Sequence, residues 1–250
     1  MKLVVTRTPA QAGEQAAKQA ADILNAAIRE KGKARLLLST GASQLPFFKE
    51  FVKQKVAWER VEMFHLDEYV GICPDHPASF NRYIRREFLE VVFPGMEHLI
   101  MGCLPPEKII EELTQAVKEA PIDLGMIGIG ENAHIAFNDP PADFQDTRSY
   151  KVVTLAPECI RQQVREGWFK DEKEAYKQAI TMTCKEILNC RHIISVVPYA
   201  VKAQAVLNTF TREVTEEVPA TLLKTHGDCT VYCDKDSAAL LPIETVAQYK

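Results

Sequence analysis

The amino-acid sequence predicts an α/β protein built on one doubly wound, mostly parallel sheet with helices on both faces. Three observations predict it. Short apolar runs such as Leu36-Leu37-Leu38 and Ile193-Ile194 read as strands buried on both faces. Stretches with helix start and stop signals lie between these runs, so strands and helices alternate along the chain. Clusters of polar and titratable residues follow directly on the apolar runs, at the carboxyl ends where open α/β sheets hold ligands.

Thr8-Pro9 supplies an N-cap and a first-turn proline, and the Ala- and Gln-rich run that follows stops at Gly32. Residues 34–39 form a strand, and a helix runs from near Gln44 to about Val56. A third strand, 61–66, delivers Asp67-Glu68-Tyr69. Helices are expected from Ser79 to about Val92 and from Pro105-Pro106 to about Glu119, with a strand at 124–129. A strand at 150–155 and a helix at 157–169 come next, then a strand at 192–197. After Pro198 a helix carries Lys202 in its first turn. A short helical piece at 219–223 and a strand at 230–233 complete the series. No repeat, low-complexity tract or linker divides the 250 residues, which are read as a single domain, 1–250.

Bulk composition narrows the function. Net charge is −4, which provides no electrostatic footprint for nucleic acid. No apolar run approaches the ~20 residues of a membrane span, and Met1 to Arg7 turns polar too soon for a secretory signal. Seven cysteines include no CxxC pair, and Cys229 and Cys233 share one face of a strand as small hydrophobes. A reducing, cytoplasmic location is therefore expected. His65, Asp67, Glu68, Asp75 and His76 match no familiar metal-site spacing, so no metal and no cofactor is expected.

Three loops bear chemistry. Ser39-Thr40-Gly41-Ala42-Ser43 lies between a strand and a helix, where free amides and the helix dipole suit a phosphate; an ordinary tight βα turn needs the same glycine. Asp67 and Glu68 are adjacent acids at a strand end, a placement shared by catalytic bases and by helix caps. The loop after the strand at 124–129 holds Glu131, Asn132, His134 and Asp139 before Pro140-Pro141. Gly128 to Ala133 fits G-x-G-x-x-A, but the prolines leave no room for the helix that a dinucleotide needs. A lone histidine among apolar neighbours is commonly a packed core residue. Its company with an anion cradle and a carboxylate suits proton transfer on a small phosphorylated substrate.

On these residues the chain resembles the glucosamine-6-phosphate deaminase family, in the superfamily that also holds 6-phosphogluconolactonases. The resemblance covers most of the chain. It is carried by Ser39 to Ser43, Phe64-His65-Leu66-Asp67-Glu68-Tyr69-Val70-Gly71, Gly130-Glu131-Asn132-Ala133-His134-Ile135-Ala136-Phe137-Asn138-Asp139-Pro140 and Lys202-Ala203-Gln204-Ala205-Val206. His-Ile-Ala-Phe-Asn followed by an acid is similar to the deaminase branch. The resemblance implies a modified Rossmann-like fold with a lid at about 140–175. It also implies a metal-free conversion of glucosamine 6-phosphate and water to fructose 6-phosphate and ammonia. His134 would open the sugar ring and Asp67 would move the C2 proton, with Glu68 beside the substrate. Thr40, Gly41, Ala42, Ser43, Lys202 and a lid arginine, Arg165 or else Arg161, would hold the phosphate. The chain departs from the better-known deaminases in having Asn132-Ala133 for Asp-Gly, Asp139 for glutamate and Ala42 for glycine. Glu131 is a second candidate for the charge that Asn132 lacks, and Ala42 is expected to avoid positive φ. Ala142-Asp143 replaces a serine pair of the allosteric members, so activation by an acetylated sugar phosphate is not expected. A related enzyme acting on galactosamine 6-phosphate or a lactone, and a sugar-phosphate-binding protein without turnover, are the alternatives. A homo-oligomer would fit the resemblance, and so would a monomer.

Overall fold

Seven parallel strands form the central sheet of the computed structural model, which describes residues 1–249. They are β1 (Lys2–Thr6), β2 (Ala34–Leu38), β3 (Val61–His65), β5 (Met96–His98), β6 (Leu124–Met126), β9 (His192–Val197) and β10 (Cys229–Asp234), in the order β1-β10-β9-β6-β2-β3-β5. The chain moves outward from β2 to β3 and β5, then returns to β6 on the other side of β2. Strand order therefore reverses between β2 and β6, and the crevice above that point is where a doubly wound sheet binds ligands.

Two layers of helix cover the sheet. On one face lie α1 (Pro9–Lys31) and α2 (Leu45–Phe51). The small residues Ala12, Ala16, Ala17 and Ala20 of α1 let it approach closely, and α2 fills the remaining space with Phe47, Phe48 and Phe51. A helical run, α3 (Phe80–Ile84) with a π-turn at Arg85–Leu89, joins this layer. The other face packs on α4 (Pro106–Lys118), through Ile109, Leu113 and Val117, and on α7 (Ala203–Thr211). The remaining helices are α5 (Pro157–Arg165), α6 (Cys184–Leu188) and α8 (Ile243–Gln248).

A second sheet departs from the expectation of a single one. It is antiparallel, with strands β4 (Asp67–Tyr69), β8 (Gln178–Met182) and β7 (Tyr150–Thr154), in the order β4-β8-β7. Leu66 makes the junction: its amide donates to Leu38 O of the central sheet (3.1 Å), and its carbonyl accepts from Met182 N of the small sheet (3.1 Å). The strand expected at 150–155 therefore pairs away from the main sheet. Its partner β8 had no sequence signal beyond five residues next to a charged run.

Other elements end earlier than expected. The helix expected from Gln44 to Val56 opens as a 3-10 turn, Ala42–Gln44, and its α part stops at Phe51. Gly167, at φ +82°, ends the run through α5 short of 169. The strand expected to reach 129 ends at Met126, because the chain must leave the sheet to build the loop above the crevice.

Candidate active site

A cleft of about 550 Å3, open mouth included, lies over the β2/β6 crevice. Its walls come from the carboxyl ends of four adjacent strands. Ser39 to Ser43 follow β2, Leu66 and Asp67 follow β3, Gly128 to Gly130 and His134 follow β6, and Lys202 follows β9. Gln162, Gln163 and Glu166, on and just after α5, form the side opposite the strand ends.

The cradle is held from behind. Gly41 takes φ +106°, and its carbonyl accepts from Tyr83 OH at 3.0 Å. Ala42 has no positive φ, the conformation its Cβ disfavours. Gln44 Nε2 donates to Ser43 Oγ (3.0 Å) and to Val196 O (3.1 Å), which ties the turn to β9. The amides at the start of this helical run are those that helix geometry leaves without internal acceptors. Lys202 ends the 3-10 turn Ala200–Lys202 immediately before α7 and is 5% exposed. It forms no ion pair among the described residues; burial pulls its pKa down, and Glu166 and Glu131 act against that. A buried ammonium without an ion pair, on the same cleft as free amides, has the chemistry to hold an anion.

His134 is positioned by its own loop. Its Nδ1 donates to Asn132 Oδ1 at 2.6 Å and lies 3.2 Å from Asp139 Oδ1. Asn132 Nδ2 donates to Asp139 Oδ1 (3.1 Å), and Ala156 N donates to Asp139 Oδ2 (3.1 Å). Burial alone would raise the Asp139 pKa, but the imidazole, the Asn132 amide and the Ala156 N–H together hold it below the ordinary carboxylate value. Nε2 has no hydrogen-bond partner among the described residues. A Cβ on Gly130 would sit 2.3 to 2.5 Å from the imidazole ring, so only glycine fits beneath it. Ala133 (φ +64°) and Ala136 (φ +51°) take the left-handed conformation around the ring, and Tyr199 (φ +79°) does so before Lys202. Such strain gathers where a side chain must be aimed.

Asp67 faces the cleft, is 6% exposed and has no hydrogen-bond donor on its carboxylate among the described residues. Burial, and then the charge of Glu68, raise its pKa to about 8. Glu68 turns the other way. Its oxygens accept from Tyr69 N (3.0 Å), Ser79 Oγ (2.7 Å) and Asn81 N (2.8 Å), so it anchors the start of α3 and does not line the cleft. Burial raises its pKa to about 7, with those donors pulling it back.

The structure thus brings Thr40, Gly41, Ala42, Ser43, Asp67, His134 and Lys202 to one cleft. Asn132 and Asp139 stand behind the imidazole. Glu131 is not beside it: its carboxylate pairs with Arg165, while its amide donates to Gln162 Oε1 (3.2 Å). Arg165 is at the rim and outside the lining, and Arg161 is exposed and paired with Glu158. Among the described residues one trio has the makings of a metal site: potential ligand atoms of His134, Asp139 and Cys159 lie within 4.8 Å of one another. The imidazole Nδ1 of that trio is already engaged by Asn132 and Asp139.

Residues 7–232 match the family described as glucosamine-6-phosphate isomerases/6-phosphogluconolactonase. The chain belongs to this family. Within the glucosamine-6-phosphate isomerase/6-phosphogluconolactonase family its curated relatives include a glucosamine-6-phosphate deaminase of Thermoanaerobacter sp. (strain X514). It is 32% identical over 256 residues, covering 99% of this chain and 98% of that one. Another, from Geobacillus sp. (strain WCH70), is 34% identical over 245 residues and covers 92% and 94%. Among solved structures, a monomeric glucosamine-6-phosphate deaminase superposes with a TM-score of 0.88 at 27% identity over 96% of this chain and all of that one. A 6-phosphogluconolactonase from Trypanosoma brucei superposes with a TM-score of 0.77 at 13% identity, a likeness of fold alone. Against this family background, Gln162, Gln163 and Glu166 are polar cleft residues to which motif reading assigned no role. A one-turn spacing on α5 was their only signal, and nothing in it says which face meets the cleft.

Proposed function

We propose that this chain is an amino-sugar-phosphate deaminase/isomerase that converts glucosamine 6-phosphate and water to fructose 6-phosphate and ammonia. The observation that carries the reading is one cleft holding a buried, unpaired lysine beside an anion cradle, a bare carboxylate and an oriented imidazole. Relatives of this name align over nearly the whole chain and support it.

The 6-phosphate lies on the turn from Thr40 to Ser43 with Lys202 as counter-charge. Arg165 exchanges Glu131 for the phosphate as the lid segment, about 140–175, settles over the sugar. His134 opens the pyranose: Nε2 takes the proton from the C1 hydroxyl and returns it to the ring oxygen, leaving the open-chain aldehyde. Asp139 and Asn132 steady the imidazole while it carries that proton. Asp67 then removes the C2 proton while the carbonyl oxygen takes a proton from the C2 ammonium, which forms the enolamine, and Asp67 delivers its proton to C1. The product is a 2-imine, to which water adds at C2, and ammonia leaves to give the ketose. A carboxylate with its pKa raised to about 8 is a stronger base than an exposed one. No step requires a cofactor or metal. Seven unpaired thiols favour a reducing compartment, the cytoplasm.

The test is product analysis with glucosamine 6-phosphate, galactosamine 6-phosphate and 6-phosphogluconolactone. Fructose 6-phosphate and ammonia should form in equal amounts from the first, and Asp67→Asn should lower kcat by about 10^3-fold or more. Equal turnover by Asp67→Asn and wild type would overturn the base assignment.

A further inference from the structure

Two buried polar atoms in the cleft wall have no hydrogen-bond partner among the described residues: Ser39 Oγ and Gln163 Oε1. A hydroxyl can rotate to suit whatever arrives, but an amide oxygen can only accept. Gln163 is 6% exposed and lies one turn after Cys159 on α5, so the two share a face. The Cys159 thiol is in turn within 4.8 Å of ligand atoms of His134 and Asp139. This places the Gln163 side chain at the imidazole end of the cleft. That corner is electronegative: burial, then Asp139, Asp67 and Glu166, push the Cys159 thiol up, and only a hydrogen bond from the Gln163 side chain, through its amide N–H, draws it back. A buried acceptor in such surroundings is best matched by a cationic donor, because charge-assisted hydrogen bonds are roughly twice as strong as neutral ones.

We propose that Gln163 is a specificity-determining residue, whose amide oxygen accepts a hydrogen bond from the C2 ammonium group of the amino-sugar phosphate. The inference rests on the deaminase reading above and adds to it the group that separates an amine from a hydroxyl at C2. In the free protein the orphaned oxygen is a cost to folding, and it is relieved only when the ammonium arrives.

Gln163→Met keeps the side chain's bulk and removes the acceptor, and Gln163→Glu keeps the acceptor. The measurements are steady-state kinetics with glucosamine 6-phosphate, competitive inhibition by glucose 6-phosphate and by inorganic phosphate, and Tm. The Met variant is expected to raise KM for glucosamine 6-phosphate about 10–100-fold. It should leave inhibition by both hydroxyl sugar and phosphate within about threefold and should raise Tm, since an unsatisfied buried atom is gone. The Glu variant should hold KM near that of wild type. An unchanged KM in the Met variant, a Glu variant as impaired as the Met variant, or a fall in Tm together with phosphate affinity would each overturn the assignment. If wild type neither turns over nor binds glucosamine 6-phosphate, the deaminase reading itself falls and takes this one with it. Normal wild-type turnover with an unaffected Met variant removes only Gln163 from the account.

Discussion

Asp67 combines two properties that pull in opposite directions: it is buried as a carboxyl, and the proposed base role requires a carboxylate. In the unfolded chain its pKa is near 3.8, and in the folded protein it is about 8. Between these values the folded state binds the extra proton, so the group's contribution to stability falls as pH rises and is lowest above about 8. The proposed catalysis has the opposite sign, because proton abstraction requires the charged form. The value of kcat/KM for glucosamine 6-phosphate should therefore climb with pH through an apparent pKa near 8. Asp67→Asn should be more stable than wild type by about 1–3 kcal/mol at pH 9, with the gap closing toward pH 4. Rate profiles and denaturant titrations at the two pH values check both halves. Wild type matching or exceeding Asp67→Asn in stability at pH 9 would contradict the burial argument.

At the scale of elements, α5 is joined to the imidazole loop at both of its ends. Asp139 accepts from Ala156, the N-cap residue of α5, and Glu131 pairs with Arg165 at the other end of that helix. Orientation of His134 and placement of α5 are thus mechanically connected. The Arg165 side chain is more than half exposed, so its pair with Glu131 contributes less than about 1 kcal/mol to folding. Arg165→Ala should leave Tm nearly unchanged and raise KM for the sugar phosphate by about tenfold. Thermal melts and initial rates separate these effects. A large drop in Tm would show that the pair holds the fold, whereas an unaltered KM would remove Arg165 from phosphate binding.

At the scale of the whole molecule, the junction of the two sheets buries a line of ionisable groups, His65, Asp67 and Glu68, whose responses to pH oppose one another. His65 is fully buried; Nδ1 accepts from Ile100 N at 3.4 Å, Nε2 has no partner among the described residues, and burial lowers its pKa from 6.5 to about 3. Below pH 6.5 the unfolded chain takes up a proton that the folded protein refuses, so the stability His65 allows is lost as pH falls. Asp67 and Glu68 push the other way over the same range, and only a difference between variants isolates the histidine. The stability of wild type relative to His65→Leu should decrease by about 2 kcal/mol between pH 7 and pH 5, as chemical denaturation at the two pH values would reveal. A pH-independent difference would mean that the imidazole is charged in the folded protein or is solvated.

Much of this architecture was legible from local pattern. Consecutive apolar residues report burial on both faces, and so the parallel strands and the loops at their carboxyl ends could be read directly from Leu36 to Leu38 or from Ile193 to Val197. The grouping of Asn132, His134 and Asp139 was legible as well, because eight consecutive residues close one small loop. The direction of polar side chains was not. Glu68 turns toward Ser79 and Asn81, Glu131 turns toward Arg165, and α5 brings Gln162, Gln163 and Glu166 to a cleft more than twenty residues from His134 in the chain. β8 and its pairing with β4 were equally silent in the sequence. The physical reason is the range of the forces: periodicity encodes whether a residue is buried, but a polar group turns to whichever distant partner satisfies it, and only the folded chain supplies that partner.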